Sequence, residues 1–234
     1  MADRIGAMLA TGVVGAVDDP WIRWDWTTRH LDVIGAALSQ HIELTVVAVG
    51  LGVLIALPLG LLAWRERVLR GPVISLTGIL YTIPSLALFS LLIPITGLSI
   101  LTAEIGLVSY TLLILIRNIV TGLDAVPAEV REAARGMGYR PRKQLFQVEI
   151  PLAIPSIMAG IRIATVTTIG LVTVTALIGE GGLGSLIYDG LLRDFKTPLL
   201  IGSVLSVALA LVADLSLSGL QRVITPWSRG RATT

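Results

Sequence analysis

The segment EAARGMG at residues 132–138, followed by VEIP at residues 148–151, determines how the rest of the chain is interpreted. It is polar, basic and interrupted by glycines, and it lies between two long apolar runs. A membrane protein that keeps such a shaped segment at the water boundary is expected to present it to another protein. The remaining residues then have to form a membrane-embedded support for that segment.

The composition of the chain is that of an integral membrane protein. Its 234 residues are 54% hydrophobic and only 15% charged, and the mean hydropathy is +0.83. The apolar residues come in long blocks, which is not typical of a soluble domain of this size. The absence of cysteine excludes disulfides, thiolate zinc sites and iron–sulfur clusters. A net charge of only +2 gives no indication of nucleic-acid binding.

Membrane-spanning helices need about twenty mostly apolar residues each. We therefore predict an all-α, polytopic membrane protein with about five transmembrane helices. A further short helix from Trp26 to Ser39 is predicted to be too polar to span. The five predicted spans are residues 42–64, 73–93, 102–121, 152–178 and 199–220.

The charges of the loops predict the orientation, because Lys and Arg accumulate on the cytoplasmic side. The loop at 64–70 holds three arginines, and basic residues also dominate the loop before the fourth span and the C-terminal tail. The loop at 94–101 has no basic residue, and the loop at 179–198 is slightly acidic. The N-terminus is thus predicted outside and the C-terminus in the cytoplasm. The predicted divisions are an extracytoplasmic segment at 1–30, a transmembrane domain at 31–225 with a cytoplasmic loop at 124–151, and a cytoplasmic tail at 226–234.

The cytoplasmic loop is predicted to form an elbow. Pro127 suits the first turn of a short helix, Gly136 and Gly138 end it, and Pro141 begins a second short helix. Either the apolar stripe of the first helix folds back on this protein's own spans, or it docks in a groove on a cytoplasmic partner. The stripe has helical spacing and comprises Val130, Ala133, Ala134 and Met137.

This loop resembles the EAA loop of ABC-importer permeases. The family pattern is Glu-Ala-Ala, three residues, Gly, nine residues and Ile-x-Leu-Pro, and the same spacing occurs here, with Val148 and Ile150 in place of the usual isoleucine and leucine. The resemblance implies a type I (MetI-like) helical bundle whose loop is the coupling helix that docks on an ATP-hydrolysing subunit. The implied coupling residues are Glu132, Ala133, Ala134, Met137 and Gly138, with Pro151 setting where the next span begins.

The resemblance covers almost the whole chain after residue 30. YTIPSLALF at 81–89 and GEGGLG at 179–184 look like the branch that imports glycine betaine, choline, carnitine and related osmoprotectants. The resemblance thus implies a permease subunit of the cell membrane that moves such a solute into the cytoplasm. It also implies four kinds of partner: cytoplasmic ATP-binding subunits, a second permease subunit (identical or homologous), an extracytoplasmic solute-binding protein and membrane lipid.

No cofactor, metal or nucleic acid is expected on this chain. It contains no phosphate-binding loop of the pattern GxxxxGK[ST], so ATP and Mg²⁺ are expected on the partner subunit and the chain is not expected to be an enzyme. GEGGLG fits the dinucleotide pattern GxGxxG, but it follows an apolar span and not a strand. His30 and His41 lie far from any cluster of ligands and are predicted to be interface residues.

Several residues are candidates for lining a translocation pathway. Tyr81, Ser85 and Ser109 are polar residues within or beside spans. Arg117 and Arg162 are charges at membrane depth, and such charges are often functional. The alternative for the two arginines is snorkelling toward the cytoplasmic interface, or a static ion pair with Asp214.

Competing functions are less well supported by the residues. An ion-driven secondary carrier calls for acidic or histidine relays at mid-membrane and usually for repeated halves. The intramembrane charges here are too few and too near the inner side. A membrane-embedded enzyme needs a cluster of catalytic side chains, and none is visible in the sequence. Trp21, Trp24 and Trp26 favour anchoring at the membrane surface over a cage for a quaternary ammonium.

Overall fold

A computed structural model describes residues 20–227, and all regular elements within that range are helical. Besides the α-helices there are a π-helical turn (Leu145–Glu149) and a 3₁₀ turn (Thr175–Ile178). The helices are α1 (Trp24–Arg29), α2 (Leu31–Arg65), α3 (Arg67–Thr82), α4 (Ser85–Thr96), α5 (Ile100–Asp124), α6 (Ala128–Gly136), α7 (Pro141–Gln144), α8 (Ile150–Val174), α9 (Leu183–Leu192) and α10 (Lys196–Ile224).

Four stretches of the described chain are long and apolar enough to cross a membrane as continuous helices. They are α2, α5, the continuous run from Pro141 to Ile178, and α10. A fifth candidate is the pair α3 and α4, which are bent by 95° relative to each other. The count of about five transmembrane helices predicted from hydropathy is therefore confirmed when the bent pair is taken as one span.

The bend occurs where Pro84 interrupts the second predicted span. Proline has no amide hydrogen, so it cannot continue the hydrogen bonding of α3. Backbone groups released inside a membrane need internal partners. The Tyr110 hydroxyl of α5 donates a hydrogen bond to the carbonyl of Ile83, which satisfies one of them. The break is thus built into the packing against α5.

Two boundaries differ from the sequence-based prediction. The predicted short helix from Trp26 to Ser39 is wrong, because α1 ends at Arg29 and the following residues already belong to the long helix α2. The fourth span does not begin at Pro151, because the helical path runs on from Pro141. The π-helical turn just before Pro151 widens the helix where the proline cannot supply an amide hydrogen bond.

Helix α5 is the centre of the bundle, and it packs between α2 and α8. Close approach depends on glycines, because lipid-exposed helices associate through tight packing and not through exclusion of water. A Cβ on Gly52 would lie 2.1 Å from the Thr111 hydroxyl, and one on Gly160 would lie 2.5 Å from Asn118 Cβ. By contrast, a Cβ on Gly50 would meet nothing within 4 Å.

The contacts at the helix ends define two ends of the bundle. At one end, which we call the elbow end, Arg70 pairs with Asp124, and α6 follows directly. The other end contains the glycine-rich loop at residues 179–184, and we call it the glycine-loop end. There the amide of Arg23 donates to the Thr197 hydroxyl, so α1 lies beside the start of α10. The N-terminal segment is described only from residue 20, so the prediction for most of 1–30 lies outside the described residues, as do residues 228–234 of the predicted tail.

Candidate functional site

The elbow, residues 127–149, begins with a short helix that ends in a left-handed turn. Pro127 precedes α6, and Gly138 follows it with φ of +80°. The amide of Tyr139 donates to the Ala134 carbonyl at 3.1 Å, and that of Gly138 donates to the Arg135 carbonyl at 2.9 Å. These two bonds form a Schellman motif, which places Gly138 at the position that glycine fills best. The glycine therefore sets the direction in which the chain leaves α6.

The apolar stripe of α6 divides between the bundle and the exterior. Ala134 is buried and Val130 is half-buried, so this side of the helix packs on the protein itself. Ala133 and Met137 are exposed, as is Glu132, and Met137 is 68% exposed. On the second arm of the elbow, Phe146 is 62% exposed. One side of the elbow is thus fixed to the bundle while the other presents apolar and acidic groups outward.

Arg131 ties α6 to three other parts of the bundle. Its Nη2 donates to the Leu123 carbonyl at the end of α5, at 2.5 Å. Its Nε lies 3.3 Å from the Glu149 carboxylate, and its guanidinium lies 5.5 Å from the Trp64 ring centroid. The hydrogen bond to the Glu149 carboxylate comes from the Gln144 amide, at 2.8 Å. Helix α6 is therefore linked to α2, α5 and the helical run that continues into α8.

Burial of the Glu149 carboxylate makes this link costlier to break than a surface ion pair. Its side chain is only 6% exposed, whereas that of Arg131 is 26% exposed. Exposed pairs contribute about 0–1 kcal/mol, but removing one partner of a largely buried pair leaves an uncompensated charge. Beside the pair lies a cavity of about 310 Å³ that is also lined by Trp64, Arg65 and Arg135. The elbow thus borders an open cavity next to α2, and the Arg131–Glu149 pair holds it to the bundle.

Three pathway candidates lie at or next to the break between α3 and α4. The Tyr81 ring makes an edge contact with Tyr110, with centroids 5.8 Å apart. Ser85 is the first residue of α4, and Ser109 directly precedes Tyr110 in α5. The Ser109 hydroxyl is bonded to the Ile105 carbonyl of its own helix at 2.7 Å. Their role in a pathway remains a prediction.

The intramembrane charges do not form one cluster. Arg162 and Asp214 make a bidentate ion pair between α8 and α10, at 2.8 and 2.9 Å. This is one of the pairings that the sequence predicts, and it fixes α10 to the bundle. Arg117 lies on an exposed part of α5. Whether either arginine faces a translocation pathway remains a prediction.

The glycine loop, residues 179–184, is held against α2 by two side chains that the sequence analysis did not connect with it. The Gln40 amide donates to Glu180 at 2.9 Å, and its carbonyl accepts from the Gly182 amide at 3.1 Å. The His41 ring is fully buried and bridges the Ile169 carbonyl and the Leu183 amide, at 3.0 and 3.3 Å. These partners place a hydrogen on Nε2 and leave Nδ1 as the acceptor.

His41 thus lies at a contact between α2, α8 and the glycine loop, and the prediction that His30 and His41 are interface residues stays a prediction. Trp26 stacks on His30 with centroids 4.4 Å apart, and it makes an edge contact with Phe195 at 5.5 Å. Trp21 and Trp24 are 70% and 69% exposed. Of the three tryptophans, Trp26 therefore packs on the protein while the other two point outward.

Sequence reasoning missed the pairing of Arg131 with Glu149 and the clamp formed by Gln40 and His41. A signal was present in each case, since Glu149 and His41 are polar residues within or beside apolar runs. Such residues need partners when they are buried. The identity of the partner could not be obtained, because it lies on a different helix.

Comparison with known proteins places the chain among membrane transport components. The profile of one family, described as "Binding-protein-dependent transport system inner membrane component", matches residues 48–229. The osmoprotectant import permease protein OsmW of Salmonella typhimurium is 42% identical over 192 residues, which cover 80% of this chain and 89% of that protein. The choline transport system permease protein OpuBB of Bacillus subtilis is 39% identical over 188 residues, covering 80% and 86%.

Two further comparisons concern the range of relatives and the fold. The ergothioneine transport permease/ergothioneine binding protein EgtU of Helicobacter pylori is 40% identical over 156 residues, covering 67% of this chain and 28% of that protein. An inward-facing structure of the methionine ABC transporter MetNI matches with a TM-score of 0.74 at 24% identity, covering 80% of this chain and 94% of the matched one. At that identity the match shows the fold alone, and it confirms the predicted MetI-like bundle.

Proposed function

The chain belongs to the family of binding-protein-dependent transport system inner membrane components, and from this we propose that it is the permease subunit of an ATP-binding-cassette importer for a small osmoprotectant. The solute is a quaternary ammonium compound or zwitterion such as choline, glycine betaine or carnitine. These are substrates named for relatives that are 38–42% identical to this chain. ATP and Mg²⁺ are bound by separate cytoplasmic subunits, and this chain has no ATPase site of its own.

The observation that carries the proposal is the two-sided elbow. Its exposed side, with Glu132, Ala133 and Met137, is suited to a groove on the ATPase subunit. Its other side is fixed to the spanning helices through Arg131 and Glu149. A docked helix that is held in this way acts as a lever, because movement of the ATPase subunit is passed directly to α5 and α8. Gly138 sets the turn between the two arms of the elbow, and Pro151 lies just beyond the π-helical turn through which the second arm continues into α8.

The transport cycle follows from this connection. Closure of the ATPase subunits around ATP displaces the elbow, and a pathway between this chain and a second permease subunit changes from inward-open to outward-open. A separate extracytoplasmic binding protein then delivers the solute. The proposed orientation has the N-terminus outside and the elbow in the cytoplasm, as the distribution of basic residues favours.

The lever is tested by Arg131→Gln in the complex with its ATPase subunits. We expect the complex to assemble but solute-stimulated ATP hydrolysis to fall at least about fivefold, since coupling energies of 1–3 kcal/mol correspond to about 5- to 150-fold. Arg70→Gln is the matched control, because it removes an arginine from an exposed ion pair at the same end of the bundle. Normal coupling in Arg131→Gln would remove the proposed role of the elbow.

The orientation is tested with single cysteines, because the chain contains none. Met137 and Leu98 are each 68% exposed, so Met137→Cys and Leu98→Cys report on the two ends under matched accessibility. In intact cells, a membrane-impermeant maleimide is expected to label Leu98→Cys and to spare Met137→Cys. The reverse pattern would place the elbow outside and contradict the proposal.

A further inference from the structure

A second candidate site lies at the glycine-loop end of the bundle, away from the elbow. It is a cavity of about 260 Å³ between the N-terminal parts of α2 and α5. A single water molecule needs only about 10–15 Å³ of such space, so the cavity has room for a small organic molecule. Its walls are Gln40, Glu43, Leu44, Val47, Ile100 and Glu104.

One wall of this cavity carries a carboxylate without a partner. Glu104 is only 8% exposed, and within residues 20–227 its Oε2 is buried and accepts no hydrogen bond. A buried ionised carboxylate is very costly unless it is paired. Glu43 lines the same cavity, so a second acidic group adds to the negative potential that a bound positive charge would offset. The cavity is therefore suited to a cation.

The surroundings indicate what kind of cation this is. No group of three or more His, Cys, Asp or Glu side chains that could hold a metal ion occurs in the described part of the chain. Leu44, Val47 and Ile100 provide apolar walls beside the carboxylates. A quaternary ammonium group has a diffuse positive charge, carries methyl groups and donates no N–H hydrogen bond. It therefore matches a site with two carboxylates and apolar walls better than a metal ion does.

We propose that this cavity is a binding site in the permease for a quaternary ammonium cation of choline's size, with Glu104 as the main counter-charge and Glu43 as the second. The inference rests on the proposed function and narrows its substrate class. A zwitterion such as glycine betaine is disfavoured, because its own carboxylate would enter a site that already holds two acidic groups. Gln40 connects the cavity wall to the glycine loop through Glu180 and Gly182.

The test is direct binding of radiolabelled choline to the full-length permease in lipid nanodiscs, without ATPase subunits or binding protein. We expect saturable binding that Glu104→Gln weakens at least about tenfold, as expected for loss of one partner of a buried charge pair. Glu43→Gln should weaken binding less, because that residue is exposed. Asp32→Asn, which removes a charge from the same end of α2 but outside the cavity, should leave binding unchanged.

A structural role of Glu104 is separated from a binding role by thermal unfolding without ligand. Because its Oε2 has no partner within the described residues, Glu104→Gln should not lower the unfolding temperature, whereas a structural role would lower it. Tetramethylammonium should compete with choline, and glycine betaine should compete poorly. Equal competition by the two would overturn the preference for a cation.

Three other results bear on the inference. Absence of saturable choline binding, or equal binding by wild type and Glu104→Gln, overturns it. If the wild type does not bind choline and Glu104→Gln prevents two permease subunits from pairing, the Glu104 carboxylate contacts a second permease copy instead. That result also overturns the inference. If ATP-driven uptake of choline is unaffected by Glu104→Gln, the proposed function is supported and this site is not. If choline binding depends on Glu104 but is not coupled to ATP, the site is supported and the proposed function is not.

Discussion

The elbow and the glycine loop both place glycines in left-handed turns, but only in the glycine loop do glycines also pack closely against neighbouring helices. At the elbow, Gly138 has φ of +80°, and a Cβ there would meet nothing within 4 Å. At the glycine loop, a Cβ on Gly184 would lie 2.3 Å from the Thr173 carbonyl oxygen, and one on Gly182 would lie 2.7 Å from His41 Cβ. Gly138 therefore serves a turn alone, whereas Gly184 serves close packing and Gly182, with φ of +50°, serves both.

The elbow therefore presents a surface to the exterior, whereas the glycine loop is packed against other parts of the protein. The elbow keeps Glu132 and Met137 outward, while the glycine loop is enclosed by α2 and α8. Substitutions in the glycine loop should therefore act mainly on folding. Substitutions in the elbow should act mainly on the connection to a partner, with smaller effects on stability.

The largest expected effect is from Gly184→Ala in the glycine loop. The new methyl group would collide with backbone atoms of Thr173, which cannot move aside as a side chain could. We expect about 3 kcal/mol of destabilisation, at the upper end of overpacking effects. Thermal unfolding of the purified permease measures it, and Gly170→Ala is the control, because a Cβ there would meet nothing within 4 Å.

An unchanged unfolding temperature in Gly184→Ala would show that the loop is not packed in this way. For Gly170→Ala the unfolding temperature should not fall and should rise slightly, since alanine in a helix is about 1 kcal/mol better than glycine.

An intermediate effect is expected from His41→Ala. The substitution leaves the Ile169 carbonyl and the Leu183 amide without their partner, at a cost of about 1–3 kcal/mol for a buried unpaired group. Hydrogen exchange at the Leu183 amide should therefore accelerate before the rest of the bundle opens. Ile42→Ala, at a neighbouring site that is 42% exposed, should leave this amide protected, and protection that persists in His41→Ala would rule out the clamp.

The smallest effect is expected from Gly138→Ala in the elbow. A left-handed conformation costs a residue with a Cβ about 1–2 kcal/mol, and no packing clash is added. The unfolding temperature should fall slightly, while Gly136→Ala, which lies within α6 and has open space around it, should not lower it. Should Gly138→Ala destabilise the protein as much as Gly184→Ala, the contrast between the two glycine sites would be lost.

Much of the fold could be predicted from local patterns. Long apolar blocks identified the spanning helices, and the glycines and prolines around the EAA segment identified a short helix that ends near Gly136. The path around Pro151 was not predicted, because a proline was taken to start a helix, whereas a π-helical turn carries the helix through it. The end of the N-terminal short helix was also missed, since polar residues at 31–40 belong to a helix longer than the apolar run itself.

The candidate site, like the fold, could be predicted from the sequence only in part. The EAA motif predicts that α6 is the segment that meets a partner, but it does not show which side of that helix is available. Ala133 and Ala134 are adjacent and chemically identical, yet the first is exposed and the second is buried. Only the position of α6 relative to α5 and α8 decides between them.

The sequence by itself determined the membrane class and the approximate number of spans, and it predicts the segment that meets a partner, because hydropathy, turn residues and motif spacing are properties of neighbours along the chain. The tertiary structure decided that Arg131 meets Glu149, that His41 holds the glycine loop, and that Glu104 lines a cavity where its Oε2 accepts no hydrogen bond from residues 20–227. Each of these depends on side chains from helices that are far apart in sequence. Such pairings are set by how the helices pack and cannot be inferred from the local pattern of either partner.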